Sequence, residues 1–380
     1  MGRSHFLRKD VNRMTHELET TSSARVKLSV VIPCFNEERT LGICIDRVMG
    51  LVAEDLEVEI IVVDDASRDR SLAIADELAS KYPEIRVIRH DHNRGKGAAL
   101  RTGFREATGD FVAVQDADLE YNPLELRNLL NPLRDGRADV VVGSRFKGQG
   151  PHRVLYFWQY VGNRLLTLLS NMFSDLNLSD METCYKIFRR EVIQKIDIEE
   201  NRFGFEPEIV AKVAHRRLRI YEMAISYSGR TYEEGKKITW KDGVRALYCV
   251  LRYNADHLPF PMQFVMYLFI GGFSAVVNLG AFIAAQAIGT QLTISIVGSF
   301  VLAAVVNYFL CIALLFRHKA RWNSVIEIGM YVLVVSVASI LDLGVTRGFV
   351  SIGMAPWAAK SVAAAIGLVY NFLGRRYVVF

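Results

Sequence analysis

The sequence is short of four things, and each absence excludes a class of protein. Its 380 residues hold five cysteines (Cys34, Cys44, Cys184, Cys249, Cys311), dispersed and without a CxxC pair. That argues against a disulfide framework or a zinc site and leaves reduced thiols. The first 26 residues are polar and mixed in charge. They lack the apolar core of a signal peptide, and a flexible tail is expected over 1–26. No GxxxxGK[ST] loop is present and no GxGxxG opens the first helix, which disfavours a purine NTPase and a dehydrogenase. Finally, charge nearly vanishes from the last 120 residues. Beyond Pro261 there are seven bases (Arg317, Lys319, Arg321, Arg347, Lys360, Arg375, Arg376) and two acids (Glu327, Asp342), leaving 39 of each sign before it. The whole net charge of +5 belongs to that poorly charged end. A uniformly soluble protein is excluded, and so is a basic nucleic-acid binder.

What is present begins with an alternation. Short runs rich in Val and Ile at 28–33, 58–63, 85–88, 111–114 and 139–142 read as buried strands. Between them, 37–52, 71–82, 96–108 and 123–133 carry apolar residues at helical spacing. Strands alternating with helices of this length predict βαβ units and a mostly parallel sheet. Ligands on such sheets bind beyond the carboxyl ends of the strands, which points to Asp64, Asp65 and residues 115–118.

Residues 153–173 and 240–258 are aromatic-rich and amphipathic. Such helices are often core. Their position beside a membrane region favours two interfacial helices, over 153–174 and 240–260. Four apolar stretches follow at 264–288, 292–316, 330–345 and 356–373, each near the length that spans a bilayer, with the third the shortest. Arg317, Lys319 and Arg321 fill the link between the second and third, and Arg375 and Arg376 follow the fourth. The positive-inside bias places these links, and with them the large N-terminal region, in the cytoplasm. Asp342 is flagged as an ionisable residue inside a span, with a position near the span end or a partner in another span preferred. Asn278, Asn307 and Asn371 are candidate interhelical hydrogen-bond donors and acceptors.

The chemistry sits in the strand-end loops. Asp116 and Asp118, two apart after a strand, can hold one hard divalent cation through oxygen, although acids at strand ends are also commonly only solvated. Loops at 33–37, 64–69 and 93–99 lie at the ends of neighbouring strands, and Gly95 and Gly97 would let backbone or phosphate approach. His90 and His92 are expected in a solvated surface turn, and the basic run 215–219 on an exposed helix face.

The motifs PCFNE, VDDASRDRS, NRGKGAA, QDADLE and GSRF, in this order, resemble a family 2 glycosyltransferase of the dolichyl- or polyprenyl-phosphate sugar synthase type. The similarity covers about 28–237. The C-terminal part resembles the GtrA-like membrane module through residues 307–310 and 371–376. The resemblance implies an α/β GT-A (Rossmann-like) domain over 27–239 and a helical domain with four transmembrane helices over 261–380. It implies that Pro33, Asn36, Glu37, Asp65, Lys96, Asp116, Arg230 and Lys236 bind the nucleotide sugar. It makes Asp116, Asp118 and Glu120 ligands of Mg²⁺ or Mn²⁺, and places Arg145 and Arg153 at the acceptor phosphate. Asp180 and Thr183 are structural or acceptor candidates, because DMETC departs from the family's usual DPTSGF-like run.

The expected activity is inverting transfer of one sugar, mannose from GDP-mannose or alternatively glucose from UDP-glucose, to a polyprenyl or dolichyl phosphate. The location implied is the inner or plasma membrane, with several spans. A processive polysaccharide synthase would carry a QxxRW-like motif, and none is present. A non-catalytic protein that moves lipid-linked sugar is the reading from another class. The intact acidic positions count against it.

Overall fold

The computed structural model describes residues 25–148, 153–154, 156–230, 240–316 and 324–379. The expected tail (all but its last two residues), Lys236 and the basic link at 317–321 lie outside the described residues. The chain divides into two compact units, Met1–Tyr253 and Asn254–Phe380.

In the first unit, strands β1 (Val26–Cys34), β2 (Leu56–Asp64), β3 (Ile85–Arg89), β4 (Phe111–Val114), β5 (Val140–Ser144), β6 (Lys186–Arg189) and β7 (Ile220–Ala224) form one sheet. Its order is β3-β2-β1-β4-β6-β5-β7. All pairings are parallel except those of β6, which runs against β4 and β5. The expected mostly parallel sheet is thus present, with β6 and β7 added. The central strands are buried on both faces, as their uninterrupted Val/Ile runs require.

Helices α1 (Leu41–Met49), α2 (Ser71–Lys81), α3 (Lys96–Glu106) and α4 (Leu126–Arg134) return the chain between strands. In α1 the buried residues are Leu41, Cys44, Ile45 and Val48, one stripe at helical spacing. The helix expected from Pro123 starts as a 3₁₀ turn, Pro123–Glu125, capped by Asn122, whose side chain accepts from the Leu124 amide.

Helix α5 (Phe157–Ser174) inverts this pattern. Thr167, Ser170, Phe173 and Ser174 face inward, whereas Phe157, Trp158, Leu165, Leu168 and Met172 are exposed, Trp158 to 79%. Helix α6 (Phe205–His215) ends where the basic run begins, so that run forms a helix end and a turn, not a helix face. Arg217 takes a left-handed φ of 52° there, and Arg219 pairs bidentately with Asp139 at the start of β5. Helix α7 (Trp240–Asn254) exposes Trp240, Val244, Tyr248 and Leu251. It is tied down through Arg245, whose guanidinium grips the Glu200 carboxylate.

The second unit contains helices α8 (Phe260–Ala287), α9 (Leu292–Leu310), α10 (Ser324–Ser351) and α11 (Pro356–Gly374). Among the described residues, α8 is long and apolar enough to cross a membrane, with a mean hydropathy of 2.0. Its outward face carries Phe269, Phe273, Val276, Leu279 and Ile283, all exposed. A helix apolar all round, on its exposed side too, suits lipid. The third stretch is not the shortest helix. α10 runs 28 residues, because the helix continues past both ends of its apolar run.

Candidate active site

Four loops meet at the carboxyl ends of β1, β2, β3 and β4, and their own hydrogen bonds fix their shape. After β1, Asn36 adopts a left-handed φ of 54°. Its amide donates to Ser67 Oγ, and its Oδ1 accepts from the Arg68 amide at 2.8 Å. This stitches the first loop to the second. The Glu37 amide donates to Ser71 Oγ at 2.8 Å. After β2, Asp64 and Asp65 are both buried, and Asp64 Oδ1 has no partner.

Asp65 was expected in the nucleotide pocket. Its carboxylate is instead committed to the third loop. Oδ1 meets His90 Nδ1 at 2.7 Å and accepts from the Arg94 amide at 2.9 Å, while Oδ2 accepts from the Gly95 amide at 2.7 Å. His90, read as solvated from sequence, is buried, with Nε2 3.0 Å from Thr102 Oγ1. The sequence reading failed because a histidine at a strand end looks exposed until α3 is packed over it.

The glycines of that loop serve the backbone. A Cβ on Gly95 would stand 2.4 Å from the Asn201 carbonyl oxygen, and one on Gly97 2.2 Å from that of Glu200. Gly95 also has a φ of 97°, which favours glycine. Residues 200–202 therefore cross directly over the start of α3, and the Ala98 amide donates to Asn201 O. The same Glu200 is held by α7 through Arg245 and by the Tyr253 hydroxyl.

The acidic motif after β4 lies among two cations. Lys96 Nζ sits 3.0 Å from Asp116 and 3.0 Å from Glu206. Burial works against the lysine's charge, but Asp116 and then Glu206 hold its pKa well above the ordinary value. Arg230 reaches Asp118 at 2.9 Å, Glu120 at 3.2 Å and Glu37 at 3.5 Å. Tyr227 donates to Glu120 Oε2 at 2.7 Å. Burial, then Asp116 and Glu120, push the Asp118 carboxyl up to about 7 in spite of Arg230. Four carboxylates (Glu37, Asp116, Asp118, Glu120) thus face two cations, before Glu206 is counted.

Two expectations change here. Glu120 is not free to complete a metal triad, because Arg230 and Tyr227 hold both its oxygens, and among the described residues no group of three ligating side chains converges. Arg145 is buried, and its Nε and Nη2 both donate to Asp180 at 2.7 Å, so the edge expected at a phosphate is occupied. Its guanidinium also lies 5.1 Å from the Tyr227 ring centroid, which places it beside the acidic cluster. Arg153 donates to the Gly229 carbonyl at 2.9 Å, next to Arg230. Pro33 stays at the end of β1, paired in register with Val63.

Glu206 and Glu182 escaped sequence reasoning. Each has one buried oxygen without a partner, as does Thr183, which the sequence did single out. Burial, with Glu206 adding to it, pushes Glu182 up to about 7. Lys186 is buried and donates to the carbonyls of Met181 and Thr183, and burial pulls its pKa down. The one available signal was an unusual density of charge in an otherwise apolar stretch. Cys34 and Cys44, next to the acids, are pushed up to about 12 by burial and by Asp64 and Asp118 respectively, so neither is a nucleophile at neutral pH.

Comparison with known proteins agrees with this layout. Residues 29–197 match the Glycosyl transferase family 2, and residues 266–380 match the GtrA/DPMS transmembrane domain. The chain is 28% identical over 235 residues to the dolichol-phosphate mannosyltransferase of Pyrococcus furiosus, covering 61% of this chain and 65% of that protein. It is 29% identical over 221 residues to the undecaprenyl-phosphate mannosyltransferase of Micrococcus luteus, covering 56% of this chain and 87% of that protein. The chain spans between 54% and 65% of the length of two of the curated relatives it matches. A crystal structure of glucosyl-3-phosphoglycerate synthase from Mycobacterium tuberculosis with uridine diphosphate shares the fold, with a TM-score of 0.50 and 21% identity over 64% of this chain and 84% of that one. The chain thus joins a family 2 glycosyl transferase domain, over residues 29–197, to a GtrA/DPMS transmembrane domain, over residues 266–380.

Proposed function

We propose that this protein transfers one hexose from a nucleotide diphosphate sugar to the phosphate of a polyprenyl lipid. The observation that carries the reading is the uncompensated carboxylate cluster at the strand ends, beside two arginines, in a chain that also holds a membrane domain. The relatives named as dolichol- and undecaprenyl-phosphate mannosyltransferases support mannose as the sugar, and GDP-mannose is the donor proposed with it.

The residues fit a divalent cation by charge and by donor chemistry. Asp116 and Asp118 offer hard oxygens and the cluster lacks positive charge, which suits Mg²⁺ or Mn²⁺. Bound there, such an ion supplies Lewis-acid neutralisation of the departing diphosphate. The chain's own residues do the remaining work. Arg230 moves from Asp118 to the donor diphosphate, its planar fork matching phosphate. Lys96 holds Asp116 in place through their 3.0 Å ion pair. Arg153 gathers the acceptor phosphate, which is ionised at neutral pH and needs no strong base, while Arg145, whose fork Asp180 occupies, contributes only its nearby charge. An acceptor oxygen then forms a bond to the sugar's anomeric carbon as the diphosphate leaves with its electron pair, a single displacement with inversion. Positioning and electrostatics supply most of the rate.

The exposed apolar faces of α5 and α7 would lie in the membrane surface and bring this site to the lipid headgroup. Four spans are read from the four apolar stretches, and the positive-inside bias would put the sheet domain in the cytoplasm. The test is turnover of the purified full-length chain with GDP-mannose or UDP-glucose, polyprenyl phosphate and Mn²⁺. Formation of a lipid-linked single sugar is the expected result. A polymer, or no product with either donor, would refute it.

A further inference from the structure

The second unit buries an arginine among uncharged partners. Arg375, which follows α11, is 7% exposed. Its Nη1 donates to Asn307 Oδ1 and lies 3.6 Å from Cys311 Sγ, and its Nη2 donates to the Tyr331 hydroxyl at 3.3 Å. The rings of Tyr331 and Tyr267 flank it, with centroids 4.7 and 5.4 Å away. Asn307 is held in turn by donating to Ser274 Oγ at 3.0 Å, so this asparagine does link helices as the sequence suggested. Among the described residues no carboxylate reaches Arg375. The side chain of Glu327, one helical turn before Tyr331, lies outside them.

A guanidinium cannot give up its proton. It has five N–H donors, and the named partners leave some unused. Its Nε is buried without a partner, and so is Asn371 Oδ1, one turn back on the same face of α11. The Nε–Nη2 edge is the one that meets an oxyanion through two parallel hydrogen bonds. A charge held this way inside a membrane domain marks a functional position. Arg376 adds a second cation at the same end, donating to Gln263 Oε1.

The place selects the occupant. Tyr267 lies near the start of α8, Tyr331 near the start of α10, Asn307 near the end of α9, and Arg375 just past α11. All four belong to the end of the bundle at which the chain enters it. The bundle's outer faces are apolar, as lipid tails require.

We propose that Arg375 binds the phosphate headgroup of a polyprenyl-type lipid within the membrane domain, at a site separate from the carboxylate cluster. The choice of a polyprenyl lipid rests on the acceptor proposed above, but the readout is lipid binding and not sugar transfer, so the two can fail separately.

The experiment uses the full-length protein in nanodiscs with a polyprenyl phosphate that carries a photoreactive group beside the phosphate. The expected result is labelling of peptides containing Tyr267, Tyr331 or Asn371. Unlabelled polyprenyl phosphate should compete, whereas polyprenol of equal chain length should not. Arg375→Gln should reduce labelling by about tenfold, the loss of a charged bidentate contact. Should that variant not fold, Tyr331→Phe removes the hydroxyl that holds the guanidinium edge in place and should weaken labelling by about threefold. Undiminished labelling in both variants would overturn the proposal, and so would equal competition by polyprenol. Competition by inorganic phosphate at the same concentration would assign a free anion and overturn the lipid. A fall in melting temperature shared by Arg375→Gln and Glu327→Gln, with labelling intact in both, would assign an internal ion pair and overturn it as well.

Discussion

The sheet domain and the membrane domain each bury an imbalance of charge, and the imbalances have opposite sign. At the strand ends Glu37, Asp116, Asp118 and Glu120 outnumber Lys96 and Arg230. In the bundle Arg375 has amide, thiol and phenol partners among the described residues. Ionised groups in a low dielectric are costly unless paired. The two clusters meet that cost by different means. Asp118 can take up a proton, and burial beside Asp116 and Glu120 pushes its carboxyl up towards doing so. Arg375 cannot lose one. The first site is therefore eased by protonation until a cation arrives, while the second depends on a partner. The lesson is that imbalance alone does not mark a ligand site. What the charged group can do about it decides.

The sharpest way to break the comparison is to remove the titrating acid. Asp118→Ala, folded and membrane-bound, is expected to lower sugar transfer by about 10²–10³ fold, the scale of losing one major electrostatic contact in a transition state. Turnover of purified protein in the presence of Mn²⁺ measures it, and retained full activity would remove the metal role. Lys96→Met comes next. It strips the cation that bridges Asp116 and Glu206, and should cost about tenfold or more in transfer together with several degrees of melting temperature. A melting loss without a change in turnover would make Lys96 purely structural.

Arg230→Gln tests whether the arginine stands where a cation is wanted. It should weaken donor binding by about tenfold. It should also strengthen Mn²⁺ binding by the donor-free protein, because Asp118 loses a competing positive charge. Calorimetric titration of Mn²⁺ separates the two effects. Unchanged or weaker Mn²⁺ binding would mean that Asp118 is a partner for Arg230 and no cation ligand.

Much of this was legible before the structure because the signals were local. The five strands read from Val/Ile runs are all present, and the loops holding Asn36, Asp65, Lys96 and Asp116 fall at their carboxyl ends. Partnership was not legible, since it depends on residues far apart in the chain. Asp65 looked like a ligand-facing acid until His90 and the amides of Arg94 and Gly95 closed around it. Arg145 looked available until Asp180, 35 positions on, took its fork. Gly95 and Gly97 looked like a phosphate cradle, yet the chain brings residues 200–202 across them. In each case a residue type was read correctly as special, and its contact had to come from the fold.

The smallest effect concerns Glu182, a third imbalance lying between the other two in kind. It can titrate, as Asp118 does. Its surroundings are Glu206 and Asp180, which raise its pKa, and Lys186 and Arg145, which lower it. A carboxyl at about 7 in the folded chain and near 4.3 when unfolded binds more protons folded than unfolded between those values. Stability is then fully present below about pH 4 and falls as pH rises towards 7, with a slope of at most about 1.4 kcal/mol per pH unit. The wild type should therefore melt lower at pH 7.5 than at pH 5.5, and Glu182→Gln should narrow that gap by roughly a few degrees. If the gap is the same in both proteins, Glu182 is ionised throughout, and the buried oxygen that lacks a partner must find one that the carboxylate form alone can use.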